Sequence, residues 1–180
     1  MPSMFRLSII SVLLAALILA GCSKAPKQEA KLYGAGEKAP VGGLSYSLVD
    51  SQILQQLGDD PGSPRMPQNR FIVVQVSITN AGNEEVSIPG MTLVDDGGQT
   101  YNELADGTGV QRWLGVLRKV APAQTETGMI VFDAPAKHYR LKLTDEFAAE
   151  DVSIDMPLSF IHEQMQHMTP SADDAPKIPR

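Results

Sequence analysis

Near the C-terminus, the segment His162–Met168 gathers side chains that could bind a metal ion. His162 and His167 lie among Met165 and Met168, and imidazole nitrogen with thioether sulfur is a ligand set that suits Cu(I). The alternative is an amphipathic helical turn that packs its methionines on the domain and leaves the histidines in water. We favour this alternative and expect no cofactor, and the four residues remain metal candidates.

Enzymatic chemistry has little support in the sequence. The chain has three histidines and one cysteine, and no Gly-x-Ser-x-Gly motif places a serine nucleophile. His138 lies at a predicted turn rather than beside a nucleophile. Asp95–Gly98 lacks the spaced carboxylates of a calcium loop and is typical of a hairpin turn. We therefore predict that the protein is not an enzyme.

The composition limits the classes of partner. The net charge is −6 and no run of basic residues occurs, so the basic face needed to neutralise nucleic-acid phosphates is missing. Aromatic residues make up 6% of the chain, which disfavours a stacking platform for sugars or bases. The single tryptophan, Trp113, is expected in the core. The alternative places it on an exposed loop as an anchor for a protein partner.

The N-terminus has the pattern of an export signal. Arg6 precedes the apolar run Leu7–Ala20, which is too short for a comfortable membrane span. The run ends in Leu19–Cys22, which resembles the lipobox of bacterial lipoproteins. This resemblance implies that residues 1–21 are removed and that Cys22 carries acyl chains that hold the protein to a membrane. Ser23, in place of aspartate, favours the periplasmic face of the outer membrane in a double-membraned cell.

The rest of the chain divides into three parts. Residues 22–36 are predicted to be a lipidated, flexible tether, residues 37–160 a domain, and residues 161–180 a His/Met-containing segment with a polar tail. Within the domain, Phe71–Thr79 alternates with period 2 and has one wholly aliphatic face. Further short alternating runs are separated by turn residues. The pattern predicts an all-β, antiparallel, immunoglobulin-like β-sandwich of about seven or eight strands.

Three local expectations accompany this fold. Asn80–Asn83 is predicted to end the central strand and turn it into a hairpin-like corner, because these residues tolerate positive φ. Val110–Val116 is predicted to form one helical turn. The loop over residues 58–69 is long for a compact domain, so it is either functional or mobile.

The order of several short motifs resembles one known family. The motifs are a Gly-Leu-x-Tyr first strand, the central strand ending in Asn-Ala-Gly, a Leu-x-Asp-x-x-Gly-x-x-Tyr corner, and a strand ending in Asp-Ala-Pro; they lie at Gly43–Tyr46, Phe71–Gly82, Leu93–Tyr101 and Gly128–Pro135. Together they resemble the bacterial telokin-like lipoprotein family, a domain of unknown function. The resemblance covers residues 37–145. It implies an immunoglobulin-like sandwich on the cell envelope, and it implies no ligand, cofactor or catalytic residue.

These observations favour a lipid-anchored envelope protein whose domain serves protein interaction, adhesion or envelope assembly. The partner is expected to be another envelope protein, bound by the loops or by strand addition at an exposed sheet edge. Two alternatives stay open. One is copper binding at the His/Met segment, and the other is a small-ligand carrier with a cleft near Trp113.

Overall fold

The computed structural model of the protein describes residues 31–58, 63–147, 149–157 and 161–163. The predicted signal peptide, Cys22 and residues 164–180 lie outside them. Every regular element in the described part is a β-strand, and no helix there could cross a bilayer. The strands are β1 (Lys31–Tyr33), β2 (Ala39–Val41), β3 (Leu44–Leu54), β4 (Phe71–Asn80), β5 (Val86–Ser87), β6 (Thr92–Asp95), β7 (Thr100–Asn102), β8 (Lys119–Val120), β9 (Thr125–Asp133), β10 (Tyr139–Thr144), β11 (Asp151–Met156) and β12 (Ile161–Glu163).

Two sheets form the predicted sandwich. One has the order β1-β11-β10-β6-β7, the other has the order β12-β3-β4-β9 with β2 also on β3, and β5 and β8 form a small separate pair. Neighbouring strands are antiparallel except for two edge pairs, β1 with β11 and β12 with β3, which are parallel. The predicted all-β sandwich is confirmed, but the prediction that it is antiparallel with about seven or eight strands is wrong for the two edge pairs and for the number of strands in the described residues. Its error comes from strands of two or three residues, which are too short to show an alternating pattern.

The core lies between the sheets and follows the predicted periodicity. The aliphatic face of β4 meets that of β10 and β11, and these side chains are at most 1% exposed: Ile72, Val74, Val76, Ile78, Leu141, Leu143 and Ile154. The first half of β4 is buried on its other face as well. There Phe71 and Val73 pack with Leu57 and Val131 in a second cluster, which the flanking loops cover.

The corner after β4 is built differently from the prediction. No residue from Asn80 to Asn83 has positive φ. Instead the buried Asn80 side chain donates to the carbonyl oxygens of Glu84 (2.7 Å) and Val120 (2.9 Å) and accepts from the Gly82 amide (2.8 Å). The following strand β5 pairs with β8 and not with β4, so the predicted hairpin does not form.

Three segments differ from their predicted conformation. The last part of the predicted tether forms β1, whose Tyr33 packs against the core. The segment Val110–Val116 contains no helical turn, and its Trp113 instead forms an isolated bridge with Met129. Residues 161–163 form a strand on β3 rather than a helical turn. In each case backbone pairing with a distant strand decides the conformation, and that pairing is not visible in the local sequence.

Candidate protein-interaction surface

A long connection, residues 103–118, leaves β7 of one sheet and runs along β9 of the other sheet before it reaches β8. The Leu104 amide donates to the carbonyl oxygen of Val131 (2.8 Å), and the Leu114 amide donates to that of Met129 (3.0 Å). The Met129 amide donates in return to the carbonyl oxygen of Arg112 (2.9 Å). The connection therefore occupies the outer edge of β9. Strand addition by a partner at this edge would have to displace the protein's own chain.

Trp113 lies half-buried within this connection. Its indole covers Gly107 so closely that a Cβ atom on that glycine would come within 2.1 Å of the ring. The indole nitrogen is buried and has no hydrogen-bond partner among the described residues. Trp113 thus holds two parts of the connection together, because its indole packs on Gly107. Other side chains of the same connection face the solvent.

Arg118 anchors the end of the connection. Its guanidinium forms a two-point ion pair with Glu103, with Nη1–Oε1 at 2.6 Å and Nη2–Oε2 at 2.8 Å. It also donates to the carbonyl oxygens of Gly115 (2.8 Å) and Pro89 (3.0 Å). Both charged side chains are at most 6% exposed. Charge-assisted bonds in a fixed fork geometry are among the strongest in proteins, so they hold the two ends of the connection together.

The turn held by Arg118 presents two apolar side chains to water. Val116 is 53% exposed and Leu117 is 98% exposed. Gly115 precedes them with φ of 75°, a conformation that suits glycine, and its carbonyl is one of the groups bound by Arg118. We call residues 115–118 the apolar turn. Its backbone is fixed by a buried ion pair, while the Leu117 side chain is almost fully exposed and that of Val116 about half exposed.

His138 lies at the other end of the sandwich, between two carboxylates. Its Nδ1 is 2.8 Å from Asp96 Oδ1 and its Nε2 is 2.8 Å from Asp155 Oδ1. The hydrogen bond with Asp155, and after it that with Asp96, raises the pKa of His138 above its ordinary value. These groups flank the imidazole from opposite sides, and the described residues contain no cluster of three side chains suited to a metal ion.

The remaining predicted site residues are placed as follows. Asp95–Gly98 forms the expected turn between β6 and β7, with Asp95 bound by Lys137 (3.0 Å) and by the Gln99 amide (2.9 Å). Within the His/Met segment, His162 belongs to β12. Its companions Met165, His167 and Met168 lie outside the described residues, as does Cys22, so the metal and lipidation sites stay predictions.

The family model for DUF4352, a domain of unknown function, matches residues 33–152. The chain belongs to this family. The match begins inside β1 and ends inside β11, so it spans the sandwich. It agrees with the expectation of a domain of unknown function, while the telokin-like resemblance stays a prediction. A comparison with curated proteins gives no significant match.

Solved structures show the same fold. The yjhA protein of Bacillus subtilis is 15% identical, with 69% of this chain and 98% of that chain covered and a TM-score of 0.52. The secreted protein MPT63 of Mycobacterium tuberculosis is 14% identical, with 72% and 98% covered and a TM-score of 0.50. The candidate lipoprotein ycdA of Bacillus subtilis is 13% identical over 68% of this chain but only 38% of its own, with a TM-score of 0.54.

Proposed function

We propose that this chain is a lipid-anchored, non-enzymatic envelope protein that binds another envelope protein through its apolar turn. The observation that carries the proposal is the contrast within that turn. Leu117 is 98% exposed, whereas the side chain of Arg118 beside it is 5% exposed and fixed by four hydrogen bonds. An apolar side chain on a rigid backbone loses little conformational entropy when a partner covers it, which favours association.

The domain is further inferred to be immunoglobulin-like. If β3, β4 and β9 are strands A, B and E and β6, β10 and β11 are strands C, F and G, the observed neighbours are those of that fold. Tyr139, at the start of β10, donates its hydroxyl hydrogen to the carbonyl oxygen of Pro135, four residues upstream. This contact matches the tyrosine corner that characterises such sandwiches.

The envelope location rests on the Leu19–Cys22 motif. The secreted and lipoprotein descriptions of MPT63 and ycdA are consistent with an extracytoplasmic site. Lipidation at Cys22 is tested by metabolic labelling with an alkyne fatty acid: the wild type should become labelled and a Cys22→Ser variant should not. Label on both proteins, or on neither, would contradict the anchor.

The interaction is tested by chemical crosslinking of intact cells followed by a denaturing gel. The wild type should give a discrete adduct of higher mass, and Leu117→Ser should lose it. Leu32→Ser is the matched control, because Leu32 is an exposed leucine on β1, away from the turn. Equal adducts from all three proteins, with unchanged melting temperatures, would contradict a role for the turn. An adduct at twice the monomer mass that contains only this chain would identify self-association instead.

A further inference from the structure

An apolar groove opens at the end of the sandwich where the chain enters the domain. Its floor is formed by Val41, Leu44 and Val86 and its volume is about 290 Å³. Phe147, on the turn between β10 and β11, forms one wall and is 84% exposed. Gly43 lies in the floor, where an added Cβ would make only an ordinary contact with Val86, at 3.6 Å. A larger side chain at this position would therefore fit the backbone and enter the groove.

The rim of the groove is strongly acidic. Glu84, Glu85, Asp145 and Glu146 all line it. Glu85 is bound by Lys119 at 2.9 Å, and the Asp145 carboxylate accepts the Glu150 amide at 3.0 Å. Glu84 and Glu146 are both exposed at the rim. Glu146 also feels the charge of Lys119, whose hydrogen bond goes to Glu85, so Glu84 and the outer side of Glu146 face an outside cation.

We propose that this groove binds a lysine- or arginine-bearing peptide segment of another envelope protein. A long basic side chain has an aliphatic stem and a charged head, and these two parts match an apolar floor under a carboxylate rim. The exposed ring of Phe147 adds a surface on which a cation can lie. This site does not include residues of the apolar turn and does not depend on binding there, but its place near a membrane rests on the proposed lipid anchor.

The position of the groove agrees with a partner on the same membrane. Lys31 pairs with Val152, just beyond the turn that carries Phe147, so the chain comes from its proposed anchor at this end of the domain. Eight residues lie between Cys22 and Lys31, so the nine steps from one to the other reach roughly 30 Å when fully extended. The groove is therefore held near the bilayer, and its carboxylates would be repelled by anionic lipid rather than bound to it.

The test uses the full-length protein in neutral phosphatidylcholine nanodiscs and a fluorescent peptide of sequence Gly-Lys-Leu-Lys-Gly. We expect saturable binding by fluorescence anisotropy that weakens as salt is added. Glu84→Gln/Glu146→Gln should weaken binding roughly tenfold, the effect of two exposed ion pairs. Gly43→Leu, which fills the groove, should abolish it. The same peptide with acetylated lysines should not bind, because acetylation keeps the stem and removes the charge.

Each contrary result overturns the proposal. Equal binding of the acetylated peptide would show an apolar site without charge selection, and full binding by Gly43→Leu would place the peptide elsewhere. Binding that appears only in a Lys24→Gln/Lys27→Gln variant would identify the chain's own leading segment as the occupant. Leu117→Ser should leave the isotherm unchanged, so failure of the proposed function and failure of this site are distinguishable.

Discussion

Arg118 and Glu103 form a buried, two-point ion pair that joins both ends of the connection between β7 and β8. Removing one partner of such a pair leaves an uncompensated charge out of water. We therefore expect Glu103→Gln to lower the free energy of unfolding by about 3–5 kcal/mol, measured by urea denaturation. Glu85→Gln breaks the exposed pair with Lys119 and should change stability little. Equal small effects from both would show that the buried pair does not hold the connection.

The Asn80 corner should be almost as sensitive. Asn80→Ala removes two donated bonds and one accepted bond in a buried setting, so unfolding free energy should fall by about 2–3 kcal/mol. Asn83→Ala, three residues away and exposed, is the matched control. Thermal melting of both variants checks this. Similar melting temperatures for the two variants would show that the Asn80 side chain does not stabilise the corner.

Even a methyl group at position 107 should destabilise the fold. An added Cβ would overlap the ring of Trp113, so Gly107→Ala should lower unfolding free energy by about 1–3 kcal/mol. The single tryptophan reports the change directly, and its emission should shift to longer wavelength as the indole is displaced into water. Gly90→Ala, which has open space around the added carbon, should leave both stability and emission unchanged. Unshifted emission in Gly107→Ala would show that the indole does not rest on the glycine.

Protonation of His138 should make the stability of the fold depend on pH. Because the carboxylates of Asp155 and Asp96 raise its pKa in the folded state, protonation of His138 favours folding. Its contribution is fully present below the unfolded pKa of about 6.5 and is lost as pH rises through the raised folded value. His138→Gln should therefore lower the melting temperature more at pH 5.5 than at pH 9. An equal loss at both pH values would exclude the charge contribution.

The sequence was most informative where a pattern is local. The alternation of Phe71–Thr79 predicted the inner face of β4 correctly, because a strand repeats every two residues. The turn Asp95–Gly98 was predicted because its Asp and Gly residues are themselves typical of a hairpin turn. The edge strands β1 and β12 were missed, since a three-residue strand on a parallel edge carries no such period.

The residues of the candidate site were harder to predict from the sequence. Arg118 and Glu103 are fifteen residues apart in an irregular segment, and nothing in their neighbours indicates that both are buried. The sequence did draw attention to the same connection through Trp113. It could not show that the indole lies against Gly107 while Leu117 faces the solvent, because that depends on how the connection crosses between the sheets.

Binding of a partner at the apolar turn can be observed by position-specific photocrosslinking in living cells. A photoreactive amino acid replaces Leu117 in one strain and Thr100, an exposed residue of β7, in another. We predict a discrete adduct with one envelope protein on irradiation at position 117 and none at position 100. No adduct at position 117, or the same adduct at both positions, would show that no partner binds at the apolar turn.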